Sequence, residues 1–125
     1  MAAPFTRHVL LLDLKHDPDL IARYRQWHAP GAVPAAVVRA IRAAGIEAME
    51  IHLSGDRLVM IMEVGPGFEP QAKADADAAD PDVVAWEALM DGCQKALPWA
   101  EPGQKWTSAR RIFDLAAQPN PDKVG

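Results

Sequence analysis

The sequence predicts an α+β fold in the order β-α-β-β-α-β, with a four-stranded antiparallel sheet and helices on one face. Three observations carry this. Residues 7–15, 46–53, 57–64 and 109–115 are short, largely apolar stretches that read as strands. Asp17-Pro18 and Asp80-Pro81 each precede a run of helical spacing, and Asp caps a helix well while Pro suits its first position. Ser54-Gly55-Asp56 is a short, Gly-containing link between the second and third strands, which makes them a hairpin. This order is the ferredoxin-like plan. It leaves one sheet face bare, and small domains of this kind commonly pair sheet to sheet as homodimers.

Taken in order, the first strand places His8, Leu10, Leu12 and Leu14 on one face and Arg7, Val9, Leu11 and Asp13 on the other. The apolar face is expected to pack on helices. The mixed face is expected to line a pocket or a partner sheet, unless Arg7 and Asp13 only cap the strand ends. Leu20, Ile21 and Tyr24, then Trp27 and His28, have helical spacing. Pro30 stops that helix, because proline lacks an amide proton and disfavours helix in the residue before it. Pro34 restarts it, Val37, Val38, Ala40, Ile41 and Ala44 give an apolar face, and Gly45 ends it. The hairpin strands place Met49, Ile51 and Leu53 opposite Glu50 and His52, and Leu58, Met60, Met62 and Val64 opposite Val59, Ile61 and Glu63. Residues 68–79, rich in Ala and Asp, read as a partly helical, solvated stretch. The next helix is expected to run to Pro98 on Val84, Leu89, Met90, Cys93 and Leu97, with Trp86 beside them. Residues 98–105 are a Pro/Gly loop flanked by Trp99 and Trp106, a candidate lid. Ala109 to Leu115 is the expected last strand and residues 118–125 a short, poorly ordered tail. One domain over residues 1–125, with its core at about 7–115, is the expectation.

Composition narrows the function. The net charge of −4 argues against nucleic acid, whose phosphates need a basic surface. No stretch approaches the roughly 20 apolar residues of a membrane span, and no basic-then-apolar start marks a signal peptide. The single cysteine, Cys93, excludes an internal disulfide and fits a reducing cytoplasm. No His or Cys pair has a recognised ligand spacing, so no metal is expected.

Tyr24 and His28 are four residues apart and so share one helix face. His28 falls in the last helical turn beside a break, where an imidazole is available for proton transfer next to a phenol. The plain alternative is that Tyr24, Trp27 and His28 are packing or surface residues, with the histidine favoured by the helix dipole. His52 is a candidate ligand or proton carrier, or simply a surface residue near the hairpin end.

The chain resembles the L-rhamnose mutarotase family of dimeric α/β-barrel sugar epimerases, from about Arg7 to Leu115. The landmarks are Tyr24-x-x-x-His28 with Pro soon after, the hairpin from Leu53 to Glu63, a Trp early in the second long helix, and a closing strand with Phe113. The resemblance implies that Tyr24 and His28 are the acid/base pair and that tryptophans line a monosaccharide site. Ala85-Trp86 stands where the family tends to have Trp-Trp. The loop from Trp99 to Trp106 looks closer to relatives associated with L-fucose than to those acting on L-rhamnose.

Anomers interconvert by ring opening, which needs one base, one acid and no cofactor. An imidazole with an unperturbed pKa of about 6.5 serves either role, and a phenol near 10 is the better donor. Trp86, Trp99 and Trp27 are candidates to pack on the sugar, and Arg7, Asp13, Glu50 and Arg111 to bond its hydroxyls. Two rival classes stay open from the sequence: a dimeric α/β-barrel oxygenase acting on an aromatic substrate, and a non-enzymatic ligand-binding module.

Overall fold

A computed structural model of the chain describes residues 5–123. Its elements are β1 (Thr6–Leu14), α1 (Pro18–Trp27), α2 (Ala35–Ala43), β2 (Ile46–Ser54), β3 (Arg57–Val64), α3 (Pro70–Ala78), α4 (Pro81–Asp91), β4 (Gln94–Lys95) and β5 (Thr107–Ser108), followed by a 3-10 turn at Leu115–Ala117. The sheet runs in the order β2-β3-β1-β4, with β5 also on β1, and every pairing is antiparallel. That order is the expected ferredoxin-like one.

The local signals act as the sequence implies. Asp17 caps α1 by accepting from the amides of Asp19 and Leu20, and Asp80 caps α4 by accepting from Asp82. Gly45 turns the chain from α2 into β2 with φ +92°, a left-handed value that a side chain would strain. Gly55, at φ +61°, makes the hairpin turn between the paired Ser54 and Arg57. The register Leu10↔Met60↔Ile51 and Leu12↔Leu58↔Leu53 aligns the apolar rows of three strands on one face. On that face Leu14, Leu58, Tyr24, Met90 and Cys93 form a buried cluster, with Leu20, Ile21, Trp27, Ile51, Leu53, Trp86 and Trp106 packed around it. The other face carries Val9, Leu11, Val59 and Ile61 between charged ends.

Two expectations are corrected. The helix after Asp80 stops at Asp91, not Pro98. Gly92 breaks it, and Cys93 swings back so that its carbonyl accepts from the amide of Lys15 at 2.8 Å. Cys93 and Leu97 are buried, at 2% and 3% exposure, but from the turn before β4 and from a loop. The inward stripe of α4 is Val83 and Met90, both buried, with Trp86 half-buried beside them, whereas Val84 and Leu89 face outward. The second correction concerns the last strand. Residues 109–114 take no regular structure, and two-residue strands β4 and β5 share the edge of β1 instead. After the Ala109 amide bonds to the Val9 carbonyl the segment leaves the sheet. Among the described residues its strand-like side chains find no partner strand, and Ile112 is 92% exposed.

Among the described residues no helix is long and apolar enough to cross a membrane. The last two residues of the expected tail, 124 and 125, lie outside the described range, as do residues 1–4.

Candidate active site

The apolar rows of β1, β2 and β3 do not meet the helices everywhere. Between Leu10, Met60, Met62, Met49 and Ile51 on the sheet and Val37, Val38 and Ile41 on α2 lies a cavity of about 540 Å³. Its other wall comes from α1 and α4, which bring Tyr24, His28, Trp86 and Glu87 to it, and from Gln94, Lys105 and Trp106. An apolar chamber with a few convergent polar groups is the usual form of a small-molecule site. The groove between α2 and α3, about 400 Å³, is lined mainly by alanines; it has charged side chains at its border but no aromatic one.

Helix geometry sets the central pair. Tyr24 and His28 are one turn apart on α1, and their rings stack with centroids 4.2 Å apart. His28 is the C-cap residue of α1, where the last carbonyls lack helical partners. Its Nδ1 lies 2.6 Å from the Tyr24 carbonyl oxygen. A carbonyl only accepts, so Nδ1 carries the proton and a neutral imidazole presents a bare lone pair at Nε2. Trp86 meets the His28 ring edge-on, at 5.2 Å. The imidazole is thereby held on three sides: by its own backbone turn, by the phenol and by the indole.

Tyr24 is 4% exposed. Burial, the largest influence, raises its pKa above 10.0, and the Gln94 side chain acts in the opposite sense. The phenol is therefore a neutral proton donor at physiological pH. Its Oη accepts a long hydrogen bond, 3.4 Å, from Gln94 Nε2. At the border of the cavity Lys105 Nζ lies 2.9 Å from Glu87 and 2.6 Å from Asp91. Burial disfavours the Lys105 charge, but the bonds to Asp91 and Glu87 outweigh it and raise the pKa.

Of the residues singled out in the sequence, Tyr24, His28 and Trp86 come together here, and Glu50 borders the cavity. The Glu50 carboxylate itself bonds to His52 Nε2 at 3.0 Å, on the opposite sheet face. Arg7, Asp13, Trp27, Trp99 and Arg111 do not line the cavity. Arg7 pairs with Glu63 at 3.2 Å, and Asp13 takes both a 2.8 Å and a 3.2 Å bond from Arg57. Trp99 lies on that Arg57 guanidinium, 5.3 Å from ring centre to carbon, and is 54% exposed. Trp27 packs against the core cluster, and Arg111 sits near Asp114, 78% exposed. Of the two indoles flanking the 98–105 loop, the one at the cavity is Trp106. Gln94, Glu87 and Lys105 were not singled out from the sequence. Only the Glu87/Asp91 spacing on α4 hinted at them, as two carboxylates able to share one cation. Among the described residues there is no cluster of three or more His, Cys, Asp or Glu that could hold a metal.

A family model described as L-rhamnose mutarotase matches residues 7–115. The chain belongs to the L-rhamnose mutarotase family. It is 54% identical over 106 residues to a protein of Xanthomonas campestris pv. campestris named L-fucose mutarotase, covering 85% of each chain. A crystal structure of an L-rhamnose mutarotase from Formosa agariphila superposes with a TM-score of 0.58. That match covers 88% of this chain and 98% of that one, and at 12% identity it speaks to the fold alone. Of the classes left open by the sequence, membership of this family selects the mutarotases.

Proposed function

We propose that the protein interconverts the α and β anomers of a 6-deoxy-L-sugar, L-fucose in the first place, with His28 as base and Tyr24 as acid. The observation that carries the mechanism is the stacked Tyr24/His28 pair facing an apolar cavity. The two reacting oxygens of a sugar hemiacetal sit on one carbon, so the base and acid that serve them must be neighbours, as these are. His28 Nε2 takes the proton of the anomeric hydroxyl while Tyr24 gives its proton to the ring oxygen. The bond from C1 to the ring oxygen breaks, and the electrons left on O1 become the second bond of an aldehyde. After rotation about C1–C2 the ring oxygen attacks the other face of the aldehyde. It returns its proton to the phenolate, and the imidazolium returns its own to O1. Protons and charge balance without an external co-reactant.

The lining suits a deoxy sugar. Met60, Met62 and Val37 offer an apolar wall for a methyl group, and the Trp86 indole a face for the ring carbons. Glu87 and Lys105 are charged partners for hydroxyls. The identity to the Xanthomonas protein favours L-fucose over L-rhamnose. Saturation-transfer NMR on each sugar, with and without protein, tests the choice: exchange should be accelerated more for L-fucose. A larger effect on L-rhamnose would reverse the assignment.

The functional unit in this reading is a homodimer, and the lone buried Cys93 fits the reducing cytoplasm. The bare sheet face with Val9, Leu11, Val59 and Ile61 supports sheet-to-sheet pairing. So do Phe113 and Leu115, which are 62% and 75% exposed, since large apolar groups gathered at a surface mark an interaction site.

A further inference from the structure

Gln94 has no role in the scheme above, yet its placement is specific. It lies in β4, where pairing of Gln94 with Leu14 fixes its backbone against β1. Its side chain reaches Tyr24, from an element seventy residues away in the chain. The two ends of its amide stand differently. Nε2 points at the Tyr24 oxygen, whereas Oε1 is buried and has no hydrogen-bond partner among the described residues. A buried carbonyl left without a partner is costly, and one that borders a binding cavity has an evident use.

We infer that Gln94 is the positioning residue for Tyr24: its Nε2 donates to the phenol oxygen and so turns the phenol proton into the cavity, and its Oε1 accepts a hydroxyl of the bound sugar. The inference rests on the reading of Tyr24 as the acid. A phenol oxygen that accepts from Gln94 cannot spend its own proton there. The proton is then free for the ring oxygen, and the same donated bond stabilises the negative charge that grows on the phenol as it leaves. The opposite amide orientation would capture the proton and leave the acid idle. The 3.4 Å separation is long for such a bond and is expected to shorten when a sugar fills the cavity.

Tyr24 is the single tyrosine of the chain, so a tyrosine signal reports on it alone. The experiment is a pH titration of protein carrying ¹³Cζ-labelled tyrosine, as wild type and as Gln94→Met. A bond donated to the phenol oxygen favours the phenolate, so its loss raises the Tyr24 pKa. If Gln94 instead accepted the phenol proton, its loss would lower that pKa. A fall or no change overturns the inference, and it does so without reference to activity. Failure of the acid reading would appear separately, as a Tyr24→Phe variant with full activity. In exchange kinetics, Gln94→Met should lose about three- to tenfold in kcat and raise KM by a similar factor, as one neutral hydrogen bond is removed from each. An unchanged KM would remove Oε1 from sugar binding. Should Gln94→Met not fold, Gln94→Glu keeps the shape and replaces the donor by a carboxylate that accepts the phenol proton. It should lower kcat at least as much at neutral pH, and wild-type kcat there would overturn the positioning role.

Discussion

Tyr24→Phe separates chemistry from architecture more cleanly than any other change at this site. Phenylalanine keeps the ring that fills the core and stacks on His28 at 4.2 Å, and removes only the hydroxyl. The structural cost is limited to Gln94 Nε2, which loses its partner. An unpaired buried donor costs about 1–3 kcal/mol, and a bond as long as this one belongs at the low end. About 1 kcal/mol lowers the melting temperature of a domain of this size by roughly 4 °C. The catalytic cost is far larger, because loss of a general acid typically removes a factor on the order of 10² to 10⁴. That is about 3–5 kcal/mol of barrier. The assay is anomer exchange in L-fucose by saturation-transfer NMR, beside a thermal melt of the same sample. A folded variant with a rate within about threefold of wild type, well outside the range for acid catalysis, would refute the assignment of Tyr24 as the acid.

The remaining predictions concern assembly and pH. Sedimentation at micromolar concentration should give roughly 27 kDa, twice the 13.6 kDa chain, and a clean monomer would contradict sheet-to-sheet pairing. Catalysed exchange should show no loss from Tyr24 ionisation below pH 10, because burial raises that phenol's pKa. The same raised pKa means the unfolded chain releases the proton first, so its contribution to stability is present below about pH 10 and is lost above it. Thermal melts should show an alkaline loss that is smaller in Tyr24→Phe.

What could be read from the sequence was local. Both Asp-Pro caps, the Gly55 turn and the Tyr24/His28 spacing depend on residues a few positions apart, and each is where it was expected. The Leu10 and Met60 rows were legible because a strand's period assigns faces without knowledge of neighbours. The rest of the cavity was not, because Gln94, Lys105 and Trp106 reach α1 only after a two-residue strand returns to β1. Trp99 and Trp106 flank one loop, and nothing in the loop says which indole turns inward and which lies on Arg57. The apolar residues Cys93 and Leu97 prolonged the helical pattern past Gly92 because both are buried, although by other elements. Residues 109–115 have the composition of a strand, but composition does not supply a partner strand.

The central claim is that the stacked pair on α1 performs anomer exchange, and His28→Ala tests it most directly. His28 is half-buried and, among the described residues, its side chain hydrogen-bonds only to its own helix, so its removal leaves the core cluster in place. Wild-type protein should broaden or transfer saturation between the α and β signals of L-fucose, and the variant, with an unchanged melting temperature, should lose that effect by a factor on the order of 10² or more. Exchange at the wild-type rate in a folded His28→Ala protein would contradict the account.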